Sequence, residues 1–510
     1  MLDIKLFTFI LLNINLVFTY DILVVFGHPG LSHFEAFGGF FEGLAHRGHN
    51  LTILSHNKVQ QKSKNIRHIS LKNKKPMVDI MSVSTEMSTG IAHYNKQLKL
   101  LEALSKVCEE FMGEKSFRDF LKEENQYDLV IGEFFNTNCY YGVATKFNVP
   151  FIGLSSCTHL AWQAEWFGFP SNPAYIQTAF GGFKVPMSFL SRVENTLVDH
   201  YSKLWYKLVM EKQGNELSKR YIGYEAFDPH NASLLLVNTH FTIDGAKPLP
   251  PAIVEVGGIH VHNRKPKKLP LDIENWINGA EAGVIYFSLG SMIKSQSFPE
   301  KQRKAFVNAF AKFPQRVVWK LDNDSMVDQP KNVLLGKWMP QFDILCNPNV
   351  KLFISHGGLL GTIEAVHCGV PIVVMPQFGD QNHNAHALEA TGAGVLLHLQ
   401  TATEESIIDA VNKALDPRTQ KNAKLLSERF GDRPMSPMDS AIYWVEYVAR
   451  HGGAPHMRSP AIDMPFYQLY LIDVYGFLVA IVLGVSYINY VIFRLIWRIM
   501  TKNGLKLKTL

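Results

Sequence analysis

The stretch that decides the fold is Phe353–Gln381, FISHGGLLGTIEAVHCGVPIVVMPQFGDQ. Its apolar start reads as the end of a strand closing at Ser355. The chain then turns through His356, Gly357 and Gly358 and enters a helix from about Leu359. Pro371 and the run IVVM open another strand, so the unit is strand, glycine turn, helix, strand, the repeat of a parallel doubly wound α/β sheet. Two glycines at a helix start let backbone N–H groups approach an anion, and the helix N-terminus adds positive potential. His356 is a donor for a phosphate oxygen, and Glu364, farther along the helix, is a carboxylate for paired hydroxyls such as those of ribose. Asp380 and Gln381 offer an acceptor and a mixed donor–acceptor for sugar hydroxyls.

The same alternation extends in both directions. Upstream of the stretch lie the strands GVIYFSLGS, RVVWKL and KLFIS, with a helix near Glu300–Phe313. Near the N-terminus, Ile22–Phe26 reads as a buried strand. The loop HPGLS and a helix with Phe34, Phe37, Phe41 and Leu44 on one side follow it, then Gly48 and the strand LTIL. YDLVIGEFF and VPFIGLSS read as two more buried strands. RKPKKLP, Arg264–Pro270, is charged, Pro-bearing and poor in apolar residues, which marks a linker. The expected organisation is a signal peptide over 1–20, an acceptor-binding domain over 21–263, the linker 264–270 and a donor-binding domain over 271–460. Two such sheets leave a cleft at their carboxyl ends, where ligands of open α/β sheets bind. The basic stretch Lys58–Lys75 reads as a solvated loop. The aromatic, Gly- and Pro-rich run Ala161–Leu190 reads as core or, better, as an apolar acceptor pocket.

Phe353–Gln381 resembles, along its full length, the nucleotide-sugar signature of the UDP-glycosyltransferases, and the resemblance extends over essentially the whole chain. SHF, HGGLL and FFNTNC resemble the animal, arthropod-like branch. The resemblance implies a GT-B architecture, two Rossmann-like domains facing a cleft. It implies that Trp338 of GKWMPQFDIL stacks on uracil and Gln341 meets the ribose, while Ser288, Gly290 and Ser291 of YFSLGS lie near the diphosphate and sugar. Many members carry Asn and then Gly or Ser before the helix glutamate. Here Leu360 and Gly361 stand there, which shifts phosphate binding toward backbone donors.

The family's general base is a histidine just after the first strand, which places it at His33, with His28 and His46 as competitors by residue type. An unperturbed imidazole accepts a proton near neutral pH. The family's orienting aspartate falls at Glu133, and a second acid of related sequences is replaced by Asn138. The implied reaction is a single inverting displacement: His33 takes the acceptor proton, the acceptor attacks the anomeric carbon and UDP departs. No metal and no cofactor beyond the UDP-sugar co-substrate are expected. The expected donor is UDP-glucose, with UDP-glucuronate as the alternative, and the expected acceptor is a small lipophilic molecule. A non-catalytic UDP-sugar-binding membrane protein is the rival reading. Asp322 and Asp324 mimic a metal-binding DxD by chance. Asp380, His383 and His386 fall at helical spacing and read as helix surface rather than metal ligands.

The chain has 510 residues and a formal charge of +6. The tail after Phe493 holds Arg494, Arg498, Lys502, Lys506 and Lys508 without an acid. The remainder is therefore near neutral and carries no nucleic-acid footprint. Val474–Phe493 is uncharged and long enough for a bilayer, which needs about 20 residues. Its basic flank, the tail 494–510, belongs in the cytosol by the positive-inside rule. With the dilysine-like Lys506 and Lys508, the expected location is the endoplasmic reticulum membrane, single-pass with the body in the lumen, free or as a homo-oligomer. Sequons at Asn50, Asn231 and Asn323 fit a lumenal body. Five cysteines of irregular spacing predict buried small hydrophobes and no disulfide framework, with room for one bridge in an oxidising compartment.

Overall fold

The computed structural model describes residues 19–59, 63–71, 90–291, 293, 297–321, 326 and 328–506. Residues 1–18 of the expected signal peptide, the DxD-like Asp322 and Asp324, the sequon Asn323 and Lys508 lie outside them. Residues up to Arg458 form one compact unit.

This unit is built on two parallel sheets. The first runs in the order β3-β2-β1-β4-β5-β6-β7. Its strands are β1 (Asp21–Phe26), β2 (Asn50–Ser55), β3 (Ile66–Ser70), β4 (Leu129–Glu133), β5 (Phe151–Ser155), β6 (Leu234–Val237) and β7 (Ile253–Glu255). The second runs β10-β9-β8-β11-β12-β13, from β8 (Val284–Ser288), β9 (Arg316–Lys320), β10 (Val333–Gly336), β11 (Val350–Ser355), β12 (Ile372–Val374) and β13 (Gly394–Leu396). The central strands are buried on both faces. Ile22–Phe26 and Val284–Phe287 are fully inaccessible, as near-continuous apolar runs in parallel sheets should be. Strand order reverses between β1 and β4 in one sheet and between β8 and β11 in the other, and such switch points are where doubly wound sheets bind ligands.

The helix Leu31–His46 buries Phe34, Phe37, Phe41 and Leu44 as its spacing predicts, with Phe40 beside them. The basic stretch read as a loop instead contains β3, paired in parallel with β2. Its Arg67 turns outward to a bidentate pair with Glu123 at 2.6 and 2.7 Å, which lets a charged sequence form an edge strand. Of the run Ala161–Leu190, most aromatic residues are core: Trp162, Trp166, Phe167 and Phe169 are buried, and Trp162 stacks on Tyr206 at 4.4 Å. The helix Pro437–Arg450 returns to the first half, its Ala441, Ile442, Val445 and Val448 belonging to the core of the first sheet.

Two disulfides, Cys108–Cys139 and Cys346–Cys368, correct the expectation of unbridged cysteines. Their partners are 31 and 22 residues apart in sequence and meet only through tertiary packing, so no local spacing betrays them. Cys157 remains free and buried.

From Ser459 a second unit follows. Its helix Ile472–Lys506 contains a 30-residue stretch, Ile472–Thr501, long and apolar enough to cross a membrane and with none of it buried.

Candidate active site

A cavity of about 680 Å³ lies where the carboxyl ends of the two sheets face each other. Of the residues singled out in the sequence, His33, Ser288, Gly290, Ser291, Trp338, Gln341, His356, Gly358, Glu364, Asp380 and Gln381 all line it. Glu133 and Gly357 stand directly behind this lining.

On the side of the first sheet, His33 occupies the first turn of the helix after β1, and Glu133 is the last residue of β4. His33 Nδ1 lies 2.7 Å from Glu133 Oε1, and the carboxylate is fully buried while the imidazole is partly open. The Glu133 carbonyl accepts from the hydroxyls of Tyr140 at 2.5 Å and Tyr141 at 3.1 Å, which fixes the strand end. With Nδ1 turned to the carboxylate, Nε2 is the nitrogen left for the cavity. Asn138 is buried on a different contact, donating weakly to the Glu211 carbonyl at 3.5 Å, and takes no part in the His33–Glu133 pair. His46 sits in the last turn of the same helix, outside the cavity lining.

His28 also lines the cavity, stacked on His33 at 4.1 Å with planes 19° apart. Burial, aided by the charges of His33 and His56, pushes it well below the usual imidazole range, so it is neutral. Its Nδ1 accepts from the Gly30 N–H at 3.0 Å. The ligand atoms of His28, His33 and Glu133 cluster within 4.8 Å. However, near-parallel imidazoles direct their in-plane lone pairs side by side rather than toward one point, which suits a stacked base better than a metal centre.

On the side of the second sheet, β11 ends at Ser355 and the chain turns through His356 and Gly357 into the helix Leu359–His367, with Gly358 as N-cap. Gly357 adopts φ +84°, and a Cβ there would lie 2.5 Å from Val374 Cγ1. Only glycine meets both demands. His356 is pressed between glycines: a Cβ at Gly290 or Gly358 would come within 2.7 or 2.6 Å of its ring. Burial, aided by Lys320, pushes His356 down to about 4, so its ring at the cavity wall is neutral. Leu360, at the departure from the family pattern, lines the cavity and packs against the first core.

Glu364 is buried and accepts from Gln341 Nε2 at 2.7 Å. Burial raises its pKa against the opposing effects of Gln341 and Arg264. Trp338 is 72% exposed, with Lys320 Nζ 5.2 Å from its ring centre. Asp380 is likewise raised by burial, opposed by Asn384 and by His33, which shows how near the two sides come. Asn384 Nδ2 ties Asp380 Oδ2 at 3.1 Å to the Gly357 carbonyl at 2.9 Å. Gln381 is not the mixed partner expected. Its carbonyl accepts from the Gln377 and Phe378 N–H groups at 2.8 and 3.1 Å, leaving only the amide NH2 for a ligand.

Several site residues escaped the sequence reading. Arg264, taken as linker, lines the cavity, lies over the Phe342 ring at 4.3 Å and approaches Glu364 at 3.7 Å. Gln97 accepts from the Gly379 N–H at 2.8 Å. His383, read as helix surface, is buried and bound to Asp244 at 2.5 Å, because its helix packs against the short helix Phe241–Asp244. Gln97 and Asp244 thus hold, from the first half, the segment that carries Asp380. The two sequons among the described residues fall at exposed positions: Asn50 opens β2 and donates to Asp21 at 3.0 Å, and Asn231 ends the turn Pro229–Asn231.

Two facing parallel sheets with a glycine turn at one switch point and an acid-paired histidine at the other define a glycosyltransferase of GT-B architecture. Solved structures agree on the fold. The spinosyn forosaminyltransferase SpnP (TM-score 0.57, 16% identity) covers 84% of this chain and 99% of its own. The glycosyltransferase VinC in complex with dTDP (TM-score 0.56, 16% identity) covers 84% and 100%. The model of the UDP-glucoronosyl and UDP-glucosyl transferase family matches residues 23–507, and the chain belongs to that family. Similar relatives include the UDP-glycosyltransferase UGT5 of Dactylopius coccus, 38% identical across 94% of this chain and 92% of the relative. Others are the UDP-glucosyltransferase 2 of the same insect, 36% identical across 90% and 89%, and the human UDP-glucuronosyltransferase 1A10, 36% identical across 75% and 72%.

Proposed function

We propose that this transferase moves glucose from UDP-glucose to a small lipophilic acceptor by one inverting displacement. The observation that carries the reading is the His33–Glu133 pair opening onto the same cavity as the glycine turn at His356–Gly358. The acceptor O–H passes its proton to His33 Nε2 while its oxygen forms the bond to the anomeric carbon. The bond from that carbon to the UDP oxygen breaks, and the backbone donors of the glycine turn meet the charge that develops on the diphosphate. Glu133 keeps the ring oriented and stabilises the imidazolium. Trp338 stacks on the base, Gln341 and Glu364 hold the ribose, Ser288, Gly290 and Ser291 flank the phosphates, and Asp380 and Gln381 bind sugar hydroxyls.

Leu31, Leu101, Phe135 and Phe180 in the lining support an apolar acceptor. A neutral hexose is supported by the two Lys or Arg side chains of the lining among the described residues: Arg264 faces Glu364 and Lys320 donates to the Gly290 carbonyl at 2.8 Å. Neither is devoted to a sugar carboxylate. The apolar helix and the human relatives support membrane association, with the body in the lumen of the endoplasmic reticulum. The test is turnover by purified membranes given a panel of phenols and either UDP-glucose or UDP-glucuronate. His33→Ala should abolish glycoside formation while sparing UDP binding. Unchanged turnover would overturn the assigned base, and glucuronide formation alone would overturn the donor.

A further inference from the structure

We propose that Ser156 is a positioning residue of the transfer reaction, acting together with Glu133 to hold the His33 tautomer that presents Nε2 to the acceptor. The inference rests on His33 being the base. Ser156 follows β5 directly, one strand over from the end of β4, and lines the cavity floor. Its Oγ lies 2.6 Å from His33 Nδ1 and 2.7 Å from Glu133 Oε1, and these two atoms are themselves 2.7 Å apart. The three groups form a closed triangle.

Proton counting leaves one arrangement for an ionised carboxylate, which only accepts. The serine O–H donates to Oε1, and the imidazole Nδ1–H is shared between Oε1 and the serine oxygen. Nε2 then carries the lone pair. This matters because the acid is Glu, not the shorter Asp that the family resemblance implies. Glu has one more rotatable bond, and turning the carboxylate would carry Oε1 away from Nδ1. The other oxygen, Oε2, is buried without a hydrogen-bond partner among the described residues, so no hydrogen bond from them fixes the plane on that side. Ser156 does so from a rigid position: its backbone carbonyl accepts from Asn238 Nδ2 at 3.3 Å. His28 on one face and Phe135 at 4.6 Å confine the imidazole plane. Apolar packing and stacking do not choose which nitrogen faces the cavity, whereas the serine–carboxylate pair does.

The experiment is a double-mutant cycle on the full-length protein in membranes. It uses UDP-glucose and 2-naphthol, or UDP-glucuronate if only that donor turns over. A hydrogen bond to a charged group is worth enough to change a rate about 10- to 100-fold. Ser156→Ala should lower kcat by that factor without changing KM for the UDP-sugar or the affinity for UDP measured by calorimetry. Ser156→Cys, similar in size but a poor donor, should behave like Ala. In a Glu133→Ala background the factor lost on Ser156→Ala should differ at least about fivefold from that in the parent, since the two groups hold His33 Nδ1 jointly. A merely structural serine would lose the same factor in both backgrounds, or would lose UDP binding, and either result overturns the proposal. So does an unchanged kcat for Ser156→Ala. His33→Ala is measured alongside: if it still turns over, the base assignment falls and this inference with it. If it is inactive while the cycle is additive, only the role of Ser156 falls.

Discussion

Trp338 offers a direct test of how the nucleotide is held. Its side chain is 72% exposed and belongs to no core cluster, so Trp338→Ala removes almost no buried surface and should leave the unfolding temperature within about a degree. The proposed stacking partner for uracil disappears, however. Base–aromatic stacking is worth roughly 1–3 kcal/mol per base, so the Kd for UDP should rise about 5- to 150-fold. Lys320, 5.2 Å from the indole centre, donates to the Gly290 carbonyl at 2.8 Å. This second anchor keeps the ammonium near the phosphate end after the ring is lost, so the effect should lie on the base rather than the diphosphate. Pyrophosphate should therefore compete equally well against both proteins, and Trp338→Phe should recover most of the affinity. Calorimetric titration of UDP reads all three. A Kd for UDP within twofold of the parent at an unchanged unfolding temperature would refute stacking on Trp338.

Two further outcomes follow from the geometry. Gly357→Ala forces a side chain into positive φ and to 2.5 Å from Val374 Cγ1. It should cost roughly 2–4 kcal/mol of stability and weaken UDP binding, both read by thermal unfolding with and without UDP. A variant as stable as the parent would show that the turn does not need glycine. Glu255, raised to about 7 by burial and by Asp244 against the opposing Lys247 and Arg433, binds its proton more tightly in the folded state than in the unfolded one. Its contribution to stability is therefore present at low pH and lost as pH rises from the unfolded value through about 7. Glu255→Gln should add on the order of 2 kcal/mol at pH 8 and nothing near pH 4. Melts of the detergent-solubilised protein at the two pH values decide this, and equal gains at both would refute it.

What could be read in advance was local. The strand–turn–helix at Ser355–Leu359 announces itself because apolar runs, paired glycines and a helix-compatible segment follow one another within a few residues. His33 and Glu133 were reachable through the family resemblance, which implies a base at the start of the helix after β1 and an acid at the end of β4. β3 was hidden because an edge strand tolerates charge, and Arg67 could be satisfied sideways by Glu123. Ser156, Gln97, Arg264 and His383 were hidden for a different reason. Each acquires its function from a residue at least 100 positions away: Glu364 for Arg264, Gly379 for Gln97, Asp244 for His383 and His33 for Ser156. No period or spacing encodes such a meeting. Gln381 is a converse case: it lines the cavity, but its carbonyl is taken up by the turn it closes, which residue type alone does not reveal.

The paired switch points explain why an unusual acid can occupy the position opposite the base. β1 and β4 are neighbours in register, Val25 against Gly132, so the residue after that pairing on β4 always emerges beside the loop that starts the His33 helix. The sheet fixes where the acid's Cα stands, but not how long its side chain is. The longer side chain has one more torsion to fix, and the residue after β5, Ser156, lies 2.7 Å from its Oε1. On the role proposed for Ser156, the Glu at 133 and the serine that follows β5 work as a pair, and a Glu133→Asp variant should depend less on Ser156 than the parent does.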